Sequence, residues 1–365
     1  MLLRVLCLAC LILFLPAPGQ ALTVTDALGR THELQGPARN VICSGSGCLR
    51  LLTYLQAQNL AVAVDDIESR RNRFDSRPYA LANPQFKTKP IFGQFRGQDN
   101  PELILTLEPQ PQVIFKTYAT MGHDPVELQN KTGIPVVVLD AGNLGAKRDD
   151  FYASLRLMGK ILGKEERAEG LVAYFDAAIA DLARRTADIP RSGRPTAYIG
   201  GVAYKGPHGF QSTEPTYPPF LFVQARNLAC EEGGSGKDLS NTDVAKEKIV
   251  VWDPDHLFLD LSTLQMGEDA GGLHELRTDP AYATLTAVRE GRVYGVLPYN
   301  WYSQNFESIL ANAYFVGKIL YPDRFADVDP IAKADEIYSF VVGKPVFEEM
   351  NRTFSGLAFV PVPVR

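Results

Sequence analysis

The sequence predicts an α/β protein of two lobes joined by one long rigid helix, and three observations lead there. The first is a helical pattern over residues 165 to about 187. There Ala168, Leu171, Val172, Phe175, Ile179 and Leu182 recur at steps of three and four and make one apolar stripe. Glu165, Glu166 and Glu169 open it, Arg184 and Arg185 close it in the order a helix dipole favours, and Pro190 stops it. At 1.5 Å per residue such a helix is roughly 33 Å long, about the width of a small domain. The second observation is that strand and helix patterns alternate on both sides of it. The third is that no flexible linker lies between them, so the helix itself is the connector.

The leading residues are processing signal rather than fold. Arg4, the apolar run from Val5 to Leu15 and the small-residue site Gly19-Gln20-Ala21 read as a secretory signal peptide over 1–21, which places the mature chain, from near Leu22, outside the cytoplasm. The run is shorter than the roughly 20 residues a membrane span needs. Cys10 falls inside it with Cys7 three positions earlier, so no direct membrane anchor is expected. About 340 residues remain, enough for two ordinary domains. The expected division is 22–162 for the first lobe, 163–190 for the connector and 191–365 for the second lobe. Charged residues are 22% and the net charge is -5, which argues against a nucleic-acid partner or an anionic membrane surface.

In the first lobe, residues 22–24 and 31–34 flank the turn Asp26-Ala27-Leu28-Gly29 and read as a hairpin. A strand at 40–42 breaks at Ser44-Gly45-Ser46-Gly47 and is followed by a helix marked by Leu49, Leu51, Leu52 and Leu55, then a strand at 61–64. That is the start of a parallel sheet. Residues 65–100 lose the pattern and collect Arg70, Arg71, Arg73, Arg77, Tyr79, Phe95 and Arg96; a loop of that length is expected to be functional or disordered. Regular elements resume with helices near 101–107, 126–131 and 151–162 and strands at 113–115 and 135–139.

The second lobe repeats the theme, with strands at 196–199, 257–261 and 292–296 and helices near 243–251, 305–320, 333–341 and 345–350. An irregular segment at 200–219 is rich in Gly, Pro and Tyr. Glu102 and Glu247 each begin a helix that runs to a proline seven residues later, Pro109 and Pro254, before a buried strand.

The glycine loop after Ser44 could present backbone N–H groups to an anion, or simply permit a tight turn. It lacks the lysine of a phosphate loop and the spacing of a nucleophile elbow. The histidines, His32, His123, His208, His256 and His274, show no ligand spacing, so no protein-held metal site is expected. His208, in the 200–219 segment, is either a site residue or an ordinary loop histidine. Tyr118, Tyr204, Tyr217, Tyr299, Trp301 and Tyr302 join the arginines of the 70s outside regular elements. Broad aromatic faces and guanidinium forks suit a cleft for a large, partly apolar anion. No Ser/His/Asp or Cys/His set and no carboxylate pair can be assembled, so no catalytic residue is assigned. Cys43 and Cys48 are close enough to bridge across the glycine loop in an oxidising compartment, leaving Cys230 free; thiolates on a bound metal are the alternative.

Four motifs in order, Thr25-Asp26-Ala27-Leu28-Gly29-Arg30-Thr31, Thr132-Gly133-Ile134-Pro135-Val136, the central helix, and Tyr282-x-x-Leu285-x-Ala287-Val288-x-x-Gly291-Arg292-Val293-Tyr294, carry a likeness. Over nearly all of the mature chain the sequence resembles the periplasmic substrate-binding proteins of ABC importers for iron-siderophores, haem and vitamin B12. The resemblance implies two Rossmann-like α/β lobes joined by one rigid helix, ligand held in the cleft between them, delivery to an ABC permease and its ATPase, and no enzymatic activity. It implies a metal chelate as ligand, with iron-siderophore the first choice on family frequency and a corrinoid or haem the alternatives. The expected ligand-binding residues are Ser44, Arg70, Arg71, Arg96, Tyr118, Tyr204, His208, Tyr217, Trp301 and Tyr302. It further implies one exposed glutamate per lobe for permease docking, which Glu102 and Glu247 match, although each could be only a helix-start charge. The long loops at 65–100 and 200–219 and the two cysteines of the first loop depart from the smaller vitamin B12 binders. A secreted two-lobe metal-dependent enzyme and a binding lobe of a membrane sensor are the competing readings.

Overall fold

The computed structural model describes residues 21–70, 73–231 and 241–364. The signal-peptide reading, all but Ala21, and Arg71 lie outside them. The chain opens with the expected hairpin, Ala21–Thr25 against Thr31–Gln35 in antiparallel register. Asp26 holds its turn by accepting from the N–H groups of Leu28 and Arg30, both at 3.0 Å.

The first parallel sheet sets Val41–Ser44, Val113–Thr117 and Val136–Leu139 side by side, with Ile42 opposite Ile114 and Ile114 opposite Val136. All three strands are buried along their length, which is why they read as unbroken apolar runs rather than alternations. A bridge from Val41 to Ala61 leads from this sheet to a separate small one in which Val64–Asp65 lies parallel to Ile91–Gln94, which turns back as Gln98–Asp99. The stretch 65–100 is therefore not one long loop. It holds two short strands and the helix Pro78–Ala82, elements of two to five residues that carry no readable period.

Arg148–Leu162 ends at Gly163 in the left-handed conformation, φ 64°, and the connecting helix Glu165–Thr186 starts at once. Its stripe is the expected one: Ala168, Leu171, Val172, Phe175 and Leu182 are buried, and Ile179 packs against the same core. Near its end Arg185 forks onto Asp327 at 2.6 and 2.9 Å while its Nε reaches Asp181 at 2.8 Å, fastening the helix to the C-terminal region.

The second sheet is also parallel, in the order Arg226–Asn227, Thr196–Gly200, His256–Asp260, Val293–Val296. Phe306–Leu320 is buried on nearly every side, as a helix apolar all round must be. Its Asn312 completes the end of the last strand, accepting from Leu297 N at 3.1 Å and donating to Leu297 O at 2.8 Å. Pro330–Val342 crosses back to pack on Cys48–Tyr54 and Pro78–Ala82. Arg167 of the connector binds the carbonyls of Tyr54 and Phe340 across that seam. The helix Gly271–Thr278 has no counterpart in the sequence reading, because Gly271 and Gly272 disguise its first turn.

Candidate functional site

The two sheets direct the carboxyl ends of their strands at each other, and the loops after those ends meet. Tyr302 comes from the loop 299–305 that follows the last strand of the second sheet. Its hydroxyl donates to Asp65 at the end of Val64–Asp65 and accepts from the N–H of Arg96 at 3.1 Å. Its ring lies 6.2 Å from that of Phe95. Beside it, the hydroxyls of Tyr118 and Ser303 are 2.9 Å apart. Arg70 stacks over Phe95 at 4.6 Å and Arg96 at 5.2 Å, so two guanidinium groups and three aromatic rings form one rim. Arg96, Tyr118, Tyr302 and Ser303 all have positive φ, which fixes the paths of their three loops as tight reversals.

Below the rim lies a buried polar group that holds the first-lobe loops in place. Lys116 Nζ donates to Asp99 at 2.8 Å, Ser44 Oγ at 3.0 Å and Gly97 O at 3.3 Å, and Ser44 donates to the same Asp99 oxygen at 2.8 Å. None of these three side chains reaches solvent, so the fully paired cation anchors the turn that carries Arg96. Ser44 therefore serves this anchor and presents no face to a ligand.

A second network surrounds Asp65. Arg77, wholly buried, binds Asp75 at 2.9 and 2.8 Å and Glu68 at 3.1 Å, and Tyr79 donates to Glu68 at 2.7 Å. Burial, reinforced by the neighbouring Glu68, raises the Asp65 carboxyl to about 7. In the second lobe burial raises Asp260, at the end of its strand, to about 6. Arg77 thus belongs to the framework rather than to the basic rim of the arginine cluster.

Of the remaining sequence candidates, Arg70 is exposed and pairs with Asp66 at 2.6 Å, on the rim as expected. Trp301 is half-buried in the same loop as Tyr302, its carbonyl held by Asn305 at 3.2 Å. Tyr204 and His208 meet each other, the ring nitrogen of His208 lying 2.8 Å from Tyr204 O, and among the described residues no contact joins them to the rim. Tyr217 is a correction: it is fully buried, its ring packed on Phe220 and Tyr299, so it supports the second lobe from within. The disulfide is a second correction. Cys43 and Cys48 are both free and buried, neighbouring thiols in the packed core that interact by hydrogen bonding rather than a covalent bond, with Cys48 Sγ donating to Phe115 O at 3.5 Å. Cys230 is free and exposed. Glu102 and Glu247 are exposed in the first turns of Pro101–Leu105 and Lys246–Trp252. Asp65, Lys116 and Ser303 carry the site without any signal in the sequence that separates them from other polar residues.

Among the described residues no three His, Cys, Asp or Glu side chains converge as metal ligands, and no helix is long and apolar enough to cross a membrane. A groove of about 840 Å³ lies on the first lobe beside the rim, lined by Asp66, the partner of Arg70, and by Gln94, Gln98, Glu102, Leu103 and Lys131. The Tyr302 to Asp65 and Tyr118 to Ser303 contacts join the loops of the two lobes across the cleft.

A family sequence model described as periplasmic binding protein matches residues 53–299. The chain belongs to that family, the solute-binding component of ABC transporters. Its fold matches a periplasmic solute-binding protein of Veillonella parvula with TM-score 0.68 and 19% identity, over 92% of this chain and 96% of that one. The molybdate-binding protein MolA of Haemophilus influenzae matches with TM-score 0.65 and 19% identity, over 88% and 98%. A protein of an Fe3+-hydroxamate transport system from Saccharomonospora viridis matches with TM-score 0.51 and 19% identity, over 82% and 99%. A search of curated proteins returns no match. The family consists of transport proteins rather than enzymes.

Proposed function

We propose that this periplasmic binding protein captures an iron-siderophore or a closely similar metal chelate between its lobes and delivers it to an ABC permease and its ATPase. The observation that carries the reading is the rim, where Arg70 and Arg96 flank Phe95, the Tyr302 ring lies beside Phe95, and Tyr118 meets Ser303 next to it. Large flat faces beside cationic forks complement a chelate that is apolar at its edge and rich in anionic oxygen at its centre. The similar protein of an Fe3+-hydroxamate transport system agrees with that chemistry, and the molybdate-binding MolA agrees with an anion. In this reading the signal peptide 1–21 exports the chain, 22–162 and 191–365 are the lobes, and 163–190 holds them at a fixed span. Glu102 and Glu247, one on each lobe and both exposed, dock to the permease.

The absorption spectrum of the protein purified from its native periplasm tests the ligand class, followed by titration with ferric catecholate and ferric hydroxamate chelates. The expected result is a visible ligand-to-iron band and saturable binding of one chelate class. A haem or corrinoid spectrum, or a colourless protein that binds neither chelate, would overturn it.

A further inference from the structure

The contact that Tyr302 makes across the cleft is to a carboxylate whose charge the rest of the fold disfavours. Asp65 is 5% exposed, accepts from the Tyr302 hydroxyl on Oδ2 and leaves Oδ1 without a partner. Glu68 lies close enough to repel it, is itself 2% exposed and also keeps one bare oxygen, Oε2, and Asp66 adds further negative charge. Arg77 opposes them, but its fork is taken up by Asp75 and Glu68. Cys48, Tyr79 and Tyr302 face Asp65 as neutral acids that burial keeps un-ionised. Of the flanking strands, Ile91–Gln94 brings no ionisable side chain and Val41–Ser44 only the Cys43 thiol.

The tyrosine is carried by a loop that closes on itself. Asn300 and Gln304 form an antiparallel bridge, and Asn305 Nδ2 donates to the carbonyls of Tyr299 at 3.1 Å and Trp301 at 3.2 Å. These bonds make 299–305 one unit, joined to the first lobe at Asp65, the Arg96 N–H and Tyr118. With that unit in place Asp65 is sealed from water, and a buried carboxyl beside a second acid favours its neutral form. With the unit lifted, water solvates the carboxylate and the ordinary ionisation returns. We infer that Tyr302 and Asp65 form a proton-linked clasp, in which parting the two loops releases a proton from Asp65 to solvent, so that mild acid holds the cleft shut and neutral pH frees it. This regulates the site proposed above and rests on that reading only in taking ligand to enter through the same opening. Because the closed form binds the proton more tightly, its advantage is complete below the range where the open carboxyl titrates, shrinks as pH rises toward about 7, and is gone above it.

The test is native-state hydrogen exchange of the ligand-free protein between about pH 5 and about pH 8, corrected for the intrinsic rate and read at two amides. The Arg96 N–H is held by the Tyr302 oxygen and reports the clasp; the Ile114 N–H, bonded to Pro135 O at 2.9 Å inside the first sheet, reports global unfolding. Arg96 should be protected at least about a hundredfold less than Ile114, because the clasp opens without unfolding the sheet. Its protection should fall by about tenfold or more from about pH 5 to about pH 7 and then level off. Asp65→Asn should make Arg96 protection independent of pH over that range, and Tyr302→Phe, which removes the acceptor, should strip it at every pH. Wild-type protection that is flat, or equal at the two amides, overturns the inference, as does a wild-type slope retained in Asp65→Asn or protection retained in Tyr302→Phe. If Asp65→Asn does not fold, the two wild-type amides decide alone. No ligand takes part, so failure here leaves the chelate reading standing, and failure of the chelate titration leaves the clasp.

Discussion

Tyr302 donates its phenolic hydrogen bond to Asp65, a residue 237 positions earlier, and so ties the last strand-end loop of one lobe to a strand end of the other. The same oxygen accepts from Arg96 N at 3.1 Å, so one hydroxyl fastens two loops of the first lobe.

Tyr302→Phe keeps the ring against Phe95 and removes both hydrogen bonds. Asp65 is then left with neither oxygen partnered, since its Oδ1 already lacks a partner. The expected loss of stability is about 1–3 kcal/mol, read from urea unfolding, together with faster ligand release. An unaltered urea midpoint would show that this contact does not hold the lobes in solution.

The raised carboxyls give stability a defined pH dependence. Asp65 at about 7 and Asp260 at about 6 bind protons more tightly folded than unfolded, so stability declines as pH rises from the ordinary aspartate range toward those values and is flat above them. Asp26 and Asp181, held low by their arginine partners despite burial, work in the opposite sense and lose their contribution only in stronger acid. Asp65→Asn retains an acceptor for Tyr302, so its unfolding free energy should fall less between about pH 4.5 and 7.5 than that of the wild type. Identical slopes for the two proteins would contradict the assignment.

Loss of docking should be separable from loss of ligand. The double substitution Glu102→Ala and Glu247→Ala touches two exposed side chains with no role at the rim. Ligand affinity should be unchanged while uptake falls and its salt sensitivity weakens. Normal uptake, or uptake lost only together with ligand binding, would exclude these glutamates.

The thiols make a simple count. In the folded protein only Cys230 should react with an alkylating reagent; after unfolding without reductant, Cys43 and Cys48 should react as well. A 43–48 peptide that labels only after reduction would restore the disulfide.

The sequence shows the connector, the buried parallel strands and the opening hairpin because each repeats a period long enough to read. The apolar stripe from Ala168 to Leu182 faces the core as its spacing implies. Residues 65–100 are opaque for the opposite reason: a five-residue helix and two-residue strands offer no period. Composition also cannot tell rim from core. Tyr217 and Tyr302 come from similar aromatic loops, yet one is sealed against Tyr299 and the other bridges the lobes. Likewise Arg70 and Arg77 lie in one basic cluster, and only the second finds Asp75 and Glu68 inside the fold. Asp65, Lys116 and Ser303 acquire their roles from partners distant in the chain, which spacing does not reveal.

Tryptophan fluorescence reports whether a metal chelate is held against the rim between the lobes. The chain has two tryptophans, Trp252 on the helix after Glu247 and Trp301 beside Tyr302. In the Trp252→Phe variant, a ferric chelate should quench the remaining Trp301 emission saturably, by energy transfer to the bound iron complex. Trp301→Phe should show far weaker quenching at the same occupancy. Saturable chelate binding that leaves Trp301 emission untouched would place the ligand elsewhere on the molecule and rule out the rim as its site.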